Sequence, residues 1–104
     1  MGIDLGSSGA RCAVVDADGG RSVLATRSWS FAPVPHPSGL AFDIDLDLTW
    51  QLTGEACREA VAKAGVSGDA IAGVAVSAIR CGTVIIDGAG SVLYAAPNRD
   101  ARAS

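Results

Sequence analysis

Apolar residues fall in short runs bounded by glycine-rich turns from Gly2 to Phe31, recur at helical spacing from Trp50 to Ala64, and then return to short runs. Short runs between turn residues predict strands, and the longer period predicts a helix. Gly2-Ile3-Asp4-Leu5-Gly6 reads as a strand running into a turn at Ser7-Ser8-Gly9, and Arg11 to Ala17 as a second strand. Asp18-Gly19-Gly20 supplies the positive φ that hairpin turns require. Ser22 to Phe31, with Val23, Leu24, Thr26, Trp29 and Phe31, is therefore expected to pair back as a third strand, completing an antiparallel meander. Pro33, Pro35 and Pro37 each remove a backbone donor, so Ala32 to Leu46 is expected to be a loop.

Asp47 is placed to cap a helix running from Leu48 to Ala64. Trp50, Cys57, Val61 and Ala64 form its expected buried face, and Gln51, Glu55, Glu59 and Lys63 lie along another. Gly65 supplies the stop. Gly54 sits in the interior at a cost of roughly 1 kcal/mol against alanine, which points to close packing there. Ile71 to Ser77 reads as a buried strand, Val84 to Asp87 as another, and Ser91 to Tyr94 as a short strand after the Gly88-Ala89-Gly90 turn. A crossover helix favours parallel return beside the first strand and right-handed winding. The expected class is α/β: a three-stranded antiparallel meander, a helix, a parallel strand and an extra β-hairpin.

Composition changes the picture in one respect. Hydrophobic residues make up 49% and charged residues 18%, with a mean hydropathy of +0.34. That is high for a small domain whose surface stays largely in water, and predicts an apolar face meant to be covered by further chain. A net charge of −3 argues against a nonspecific nucleic-acid or anionic-membrane surface. No apolar run reaches membrane-spanning length and no leader pattern is visible, so a cytoplasmic protein without nucleic-acid or membrane partners is expected. Cys12, Cys57 and Cys81 form no CxxC and are odd in number, which predicts buried reduced thiols. Asp43, Asp45 and Asp47 lack the glycine and distal glutamate of a calcium loop and read as loop and cap. His36, in the proline-rich loop, has no partner spacing and reads as solvated.

Chemistry concentrates first between Gly2 and Arg11. A glycine-flanked turn between strands lets backbone N–H groups approach an anion without Cβ obstruction. The hydroxyls of Ser7 and Ser8 and the Arg11 guanidinium are further donors to phosphate oxygens. Asp4, just before the turn, is placed to hold Mg²⁺ directly or through water. A plain hairpin accounts for the same glycines, so the motif alone leaves both readings open. The succession Asp4, Gly6, Ser7, Ser8, Arg11 and then Asp16-Ala17-Asp18-Gly19 resembles the phosphate-1 loop of the actin-like ATPase superfamily. The resemblance implies a ribonuclease-H-like fold, here partial, with ATP and Mg²⁺ as cofactors. Gly6, Ser7, Ser8 and Arg11 would grip nucleotide phosphates, and Asp4 would serve the metal or the phosphates. Gly9 and Ala10 replace hydroxyl residues common there, leaving fewer side-chain contacts.

The stretch from Gly73 to Asp87 (GVAVSAIRCGTVIID) narrows the resemblance to the FGGY carbohydrate kinases. In that family a strand ends in a small hydroxyl residue, sugar-contacting residues follow, and a further strand leads to an Asp-x-x-Gly turn. Asp87-Gly88-Ala89-Gly90 has that form, and Asn98 to Ala103 is similar to the family's D-x-R-A segment. Together the matches take in residues 1–104 as the N-terminal, incomplete portion of the first kinase domain. They imply phosphoryl transfer from ATP to a sugar or polyol hydroxyl, with Arg80, Cys81 and Asp100 at sugar-contacting positions. A guanidinium and a carboxylate complement hydroxyls that both donate and accept. Ile79 and Cys81 stand where polar residues are common, and Asn98 where an aromatic is frequent.

The resemblance places the family's general base and adenosine-binding elements later in the chain, beyond Ser104. No catalytic residue is therefore assigned here, and this chain alone is expected to be inactive; a homodimer of the full-length enzyme is a further expectation. Two other readings stay open. One is an ATPase activator of the CoA-dehydratase-reactivating kind, which shares the opening motif but neither later pattern. The other is a non-catalytic truncated product acting through its apolar face. For single residues, a surface ion pair at Arg80 and an exposed charged loop at Asp100 to Arg102 stand beside the sugar-site reading.

Overall fold

The computed structural model of the chain describes residues 1–102. Two sequence expectations reach past that range: Ala103, in the D-x-R-A segment, and Ser104, beyond which the general base is expected, both lie outside the described residues. Strands β1 (Gly2–Gly6), β2 (Gly9–Val15) and β3 (Ser22–Ser28) form the expected antiparallel meander. Its second turn works by the chemistry its residues suggest. Asp18 N–H donates to Asp16 Oδ1 at 3.1 Å, Gly19 N–H donates to the Asp16 carbonyl at 3.0 Å, and Gly19 takes φ 79°. The third strand ends at Ser28 rather than Phe31. The expected loop contains a short antiparallel pair, β4 (Ala32–Pro33) with β5 (Phe42–Asp43).

Helix α1 spans Leu46–Ala64, and its cap is Asp45, not Asp47. Asp45 has extended backbone (φ −75°, ψ 96°) and its Oδ1 accepts Leu48 N–H at 2.9 Å. Asp47 falls in the first turn, where its charge meets the positive end of the helix dipole. Two favourable acidic positions lie two residues apart, and spacing alone could not separate them. Gly65, at φ 70°, closes the helix by donating to the Ala62 carbonyl.

The buried stripe of α1 is Thr53, Ala56 and Ala60, while Trp50 is 81% exposed. Size explains the correction. Ala56 and Ala60 rest on Cys12 of β2 and Ala25 of β3, and only methyl-sized groups let a helix lie this close to a sheet. Met1, Ile3, Val14 and Cys57 pack around this centre. Burial, with Cys57 beside it, pushes the Cys12 thiol up to about 12, so it stays protonated and inert. Cys57 is half-buried and Cys81 exposed, contrary to the expectation of three buried thiols.

Gly54 does not mark close packing between elements. A Cβ there would meet only the guanidinium of Arg58, nearest at 3.2 Å, and that side chain can move aside. Gly54→Ala should therefore raise stability by about 0.5–1 kcal/mol, read as a higher urea midpoint at unchanged slope. A lowered midpoint would restore the packing interpretation.

Arg27 adds an electrostatic tie between β3 and α1. Its Nε lies 3.2 Å from Glu55 Oε2 and its Nη1 2.6 Å from Glu59 Oε2, and Lys63 also pairs with Glu59. Hydrogen bonds from Gln51 and then Arg27 lower the Glu55 carboxyl, and those from Lys63 and then Arg27 lower Glu59. Lowered folded-state values contribute stability above the ordinary glutamate range near ~4.3, and that contribution is lost as pH falls through them. Arg27→Ala should thus lower the melting temperature at neutral pH and flatten its decline on acidification. An unaltered acid limb would show that the tie contributes nothing.

After a 3₁₀ turn at Gly68–Ala70, β6 (Ala75–Ala78) returns parallel to β1, giving a sheet of order β3-β2-β1-β6. The expected buried strand from Ile71 to Ser77 is thus shorter and starts later, and all four residues of β6 are exposed, Val76 at 61%. Its apolar run predicts cover on both faces, but α1 lies across β2 and β3. Strands β7 (Thr83–Ile86) and β8 (Val92–Ala96) form a separate hairpin that packs toward β5. Asp87 Oδ1 accepts the N–H groups of Ala89 and Ser91 at 2.8 Å each, and Gly90 takes φ 88°. The same Asp-x-x-Gly chemistry therefore closes both β2–β3 and β7–β8. The radius of gyration, 16.2 Å, exceeds the ~13 Å of a compact chain this long because the hairpin stands off the main sheet.

Candidate phosphate and sugar site

Strands β1 and β6 run parallel with Leu5 beside Ala78, so the Ser7-Ser8 hairpin tip and the Arg80-Cys81 turn leave the sheet from one edge. Ligands of α/β sheets bind outside the carboxyl ends of parallel strands. Side chains alternate between faces. Ile3, Cys12 and Ala25 point toward α1. On the opposite, open face the register sets Thr26, Arg11, Asp4 and Ser77 side by side across four strands. Asp4, Arg11 and Ser77 line a groove there together with Ala13, Leu24 and Ala75.

Arg11 Nη2 lies 3.0 Å from Asp4 Oδ2, with the two side chains 65% and 47% exposed. Ser7 and Ser8 are exposed at the tip. The Ser8 carbonyl accepts Trp29 N–H at 3.1 Å, which fixes the tip to the end of β3. Gly9 is also a packing requirement: a Cβ there would stand 2.1 Å from the Arg27 carbonyl oxygen.

Arg80 is exposed and forms no ion pair among the described residues. Cys81 takes φ 61°, a left-handed conformation that costs a non-glycine residue about 1 kcal/mol or more. Beside it, a Cβ on Gly82 would come within 3.2 Å of Ile79 Cγ2, so the turn is tight.

Asp100 is not on an exposed loop. Its side chain is 7% exposed, with Oδ2 accepting Phe42 N–H at 2.6 Å and Arg102 Nε at 2.9 Å. Arg102 Nη2 in turn donates to the Phe42 carbonyl at 2.7 Å and Asp43 Oδ1 at 2.6 Å. Arg99 stacks over the Phe42 ring at 4.1 Å and Arg102 over Tyr94 at 5.2 Å. Burial pushes the Asp100 carboxyl up, but the bonds from Phe42 and Arg102 outweigh it and hold it below the usual range. The candidate residues therefore fall into two groups, Asp4 to Arg11 with Arg80-Cys81 on the open edge, and Asp100 in a clasp on β5. The sequence assigns no site role to Thr26, Ser77, Phe42 or Asp43, although Ser77 is the hydroxyl residue that closes the apolar run before Arg80 and Asp43 reads as a loop acid. Strand register would have exposed the first two, whereas nothing local signals the others.

The donor set suits a hard cation delivered with phosphate. Among the described residues no three His, Cys, Asp or Glu side chains stand together, so a cation at Asp4 would take its other ligands from water and phosphate oxygens.

The model of the FGGY family of carbohydrate kinases, N-terminal domain, matches residues 1–103. Over its full 104 residues the chain is 34% identical to an autoinducer-2 kinase of Yersinia enterocolitica and 35% identical to one of Yersinia pseudotuberculosis. It spans only 20% and 19% of those proteins' lengths. The crystal structure of a xyloylose kinase from Brucella ovis superposes on 97% of the chain with a TM-score of 0.83, at 24% identity and over 21% of its own length. That likeness supports an actin-like ATPase type of fold for this mixed sheet and its helix. With the family match reaching from the first residue to Ala103, the chain belongs to the FGGY family of carbohydrate kinases.

Proposed function

We propose that the chain supplies the phosphate clamp and part of the sugar site of an ATP-dependent carbohydrate kinase, on the ribonuclease-H-like half of a nucleotide-binding domain. The observation that carries this reading is the Asp4–Arg11 pair on the open sheet face, next to the Gly6–Gly9 hairpin and at the edge from which Arg80 emerges. Hairpin N–H groups, the hydroxyls of Ser7 and Ser8, and Arg11 bind and orient phosphate oxygens. Asp4 would hold Mg²⁺, which when bound neutralises charge on the transferring phosphoryl group. Arg80 donates to sugar hydroxyls, whereas the Cys81 thiol, a weak donor, contributes mainly shape. Among the described residues Asp4 is the one carboxylate lining the groove and is committed to the cation, so the base that deprotonates the acceptor hydroxyl comes from elsewhere in the working enzyme. Residues 1–104 alone then bind without turnover. A cytoplasmic setting and a homodimer of the full-length enzyme accompany this reading.

An ATP-coupled assay of the full-length protein tests it, against pentoses, hexoses, polyols and autoinducer-2, the last because relatives at 34–35% identity carry that name. The expected result is acceptor-dependent ADP release that Asp4→Ala lowers by about 100-fold or more. Acceptor-independent ATP hydrolysis would favour the dehydratase-activator kind of ATPase instead. Turnover by residues 1–104 alone would overturn the division of labour.

A further inference from the structure

We propose that Arg11 is an exchangeable counter-ion for Asp4: it occupies the carboxylate in the nucleotide-free chain and transfers to phosphate oxygens when a nucleotide arrives. The inference rests on the phosphate-clamp reading above. The two residues are direct cross-strand partners, so the β1–β2 ladder fixes both backbones and only side chains need to move. Arg27 and Arg102 each engage two carboxylates, whereas Arg11 engages Asp4 alone among the described residues. Exposed pairs of this kind shift an equilibrium by at most about fivefold, so a polyphosphate outcompetes Asp4 for the guanidinium easily. Thr26 stands opposite Arg11 and Ser77 beside Asp4, placing a hydroxyl at each end of the row.

The charge logic gives the exchange a consequence. A cation arriving alone meets a neutralised carboxylate and a neighbouring guanidinium, both of which disfavour it. A cation arriving with a polyphosphate brings acceptors for Arg11, and Asp4 is freed in the same event. The pair thus couples cation binding to nucleotide binding and biases the site against free metal.

The test is a Mn²⁺ titration of the full chain followed by electron paramagnetic resonance, with and without ATP. Arg11→Gln should bind Mn²⁺ alone about two- to fivefold more tightly than the parent. The same variant should bind Mn²⁺–ATP about tenfold or more weakly, because its phosphate contact is gone. Asp4→Asn should abolish binding of Mn²⁺ alone, so that the free-ion spectrum persists through the titration, and should weaken binding of Mn²⁺–ATP. This opposite movement of two affinities is what a merely structural role for Arg11 would not produce. Unchanged or weaker binding of Mn²⁺ alone by Arg11→Gln overturns the exchange, as does absence of Mn²⁺ binding in both proteins. Mn²⁺–ATP binding indifferent to both substitutions would instead remove the phosphate-clamp reading itself. Should Arg11→Gln fail to fold by circular dichroism, Arg11→Lys carries the test, with both shifts expected in the same directions and smaller.

Discussion

Gly9→Ala should lower the unfolding free energy of the chain by about 3 kcal/mol or more, a large share of the ~5–15 kcal/mol typical of a folded domain. The added methyl would stand 2.1 Å from the Arg27 carbonyl oxygen, 3.0 Å from Ser28 Cα and 3.1 Å from the Arg27 carbonyl carbon. All three atoms belong to the backbone of the paired strand, where Gly9 faces Ser28. A side chain could rotate away, but here β2 and β3 must separate at this end. Separation strains the Trp29-to-Ser8 hydrogen bond that fixes the hairpin tip, and pulls on Arg27, which holds Glu55 and Glu59 of the helix. If the hairpin clamps phosphate as proposed, loss of stability and loss of phosphate affinity should therefore appear together. Gly6→Ala is the matching control, since its Cβ would meet only the Gly9 carbonyl oxygen at an ordinary 3.5 Å. Urea unfolding of the three proteins measures the difference, and equal midpoints for parent and Gly9→Ala would show that the two backbones do not touch there.

What could be read from the sequence followed how local each signal was. The meander was legible because Asp16 to Gly20 and Ser7 to Gly9 contain their own turn chemistry within a few residues. The helix was legible, but its buried face was not. Helical spacing puts Trp50 on the same face as Cys57, whereas the sheet is met by the small Ala56 and Ala60, and that preference depends on Cys12 and Ala25 far away in sequence. The bare β6 illustrates the same limit, because an apolar strand records what could cover it and not what does. Asp4 and Arg11 were recognisable as a motif, yet their direct pairing is a product of strand register. Asp100 was the least legible residue. Its acceptor role depends on Phe42, 58 positions earlier, in a segment whose prolines suggested no structure at all.

Asp100→Ala should lower the melting temperature by several degrees and loosen the segment from Leu40 to Ile44. The substitution leaves the Phe42 N–H and the Arg102 guanidinium short of an acceptor in a part-buried site, and an unsatisfied charged donor is costlier than a missing neutral bond. Asp100→Asn should fall between, since one amide oxygen can still accept from Phe42. The sign with pH follows from the lowered carboxyl. Its contribution is complete above the ordinary aspartate value near ~3.9 and is lost as pH falls through the folded-state value. The gap between parent and Asp100→Asn should therefore close on acidification. Arg102→Lys should reproduce most of the destabilisation, because a single ammonium cannot span Asp100, Asp43 and the Phe42 carbonyl as the planar fork does. If the full-length protein is the sugar kinase proposed above, the same variants decide between two roles for Asp100 in it. A clasp predicts that the sugar KM rises in proportion to lost stability and in both Asp100→Asn and Arg102→Lys. A raised KM in Asp100→Asn at an unchanged melting temperature would assign the carboxylate to the sugar instead.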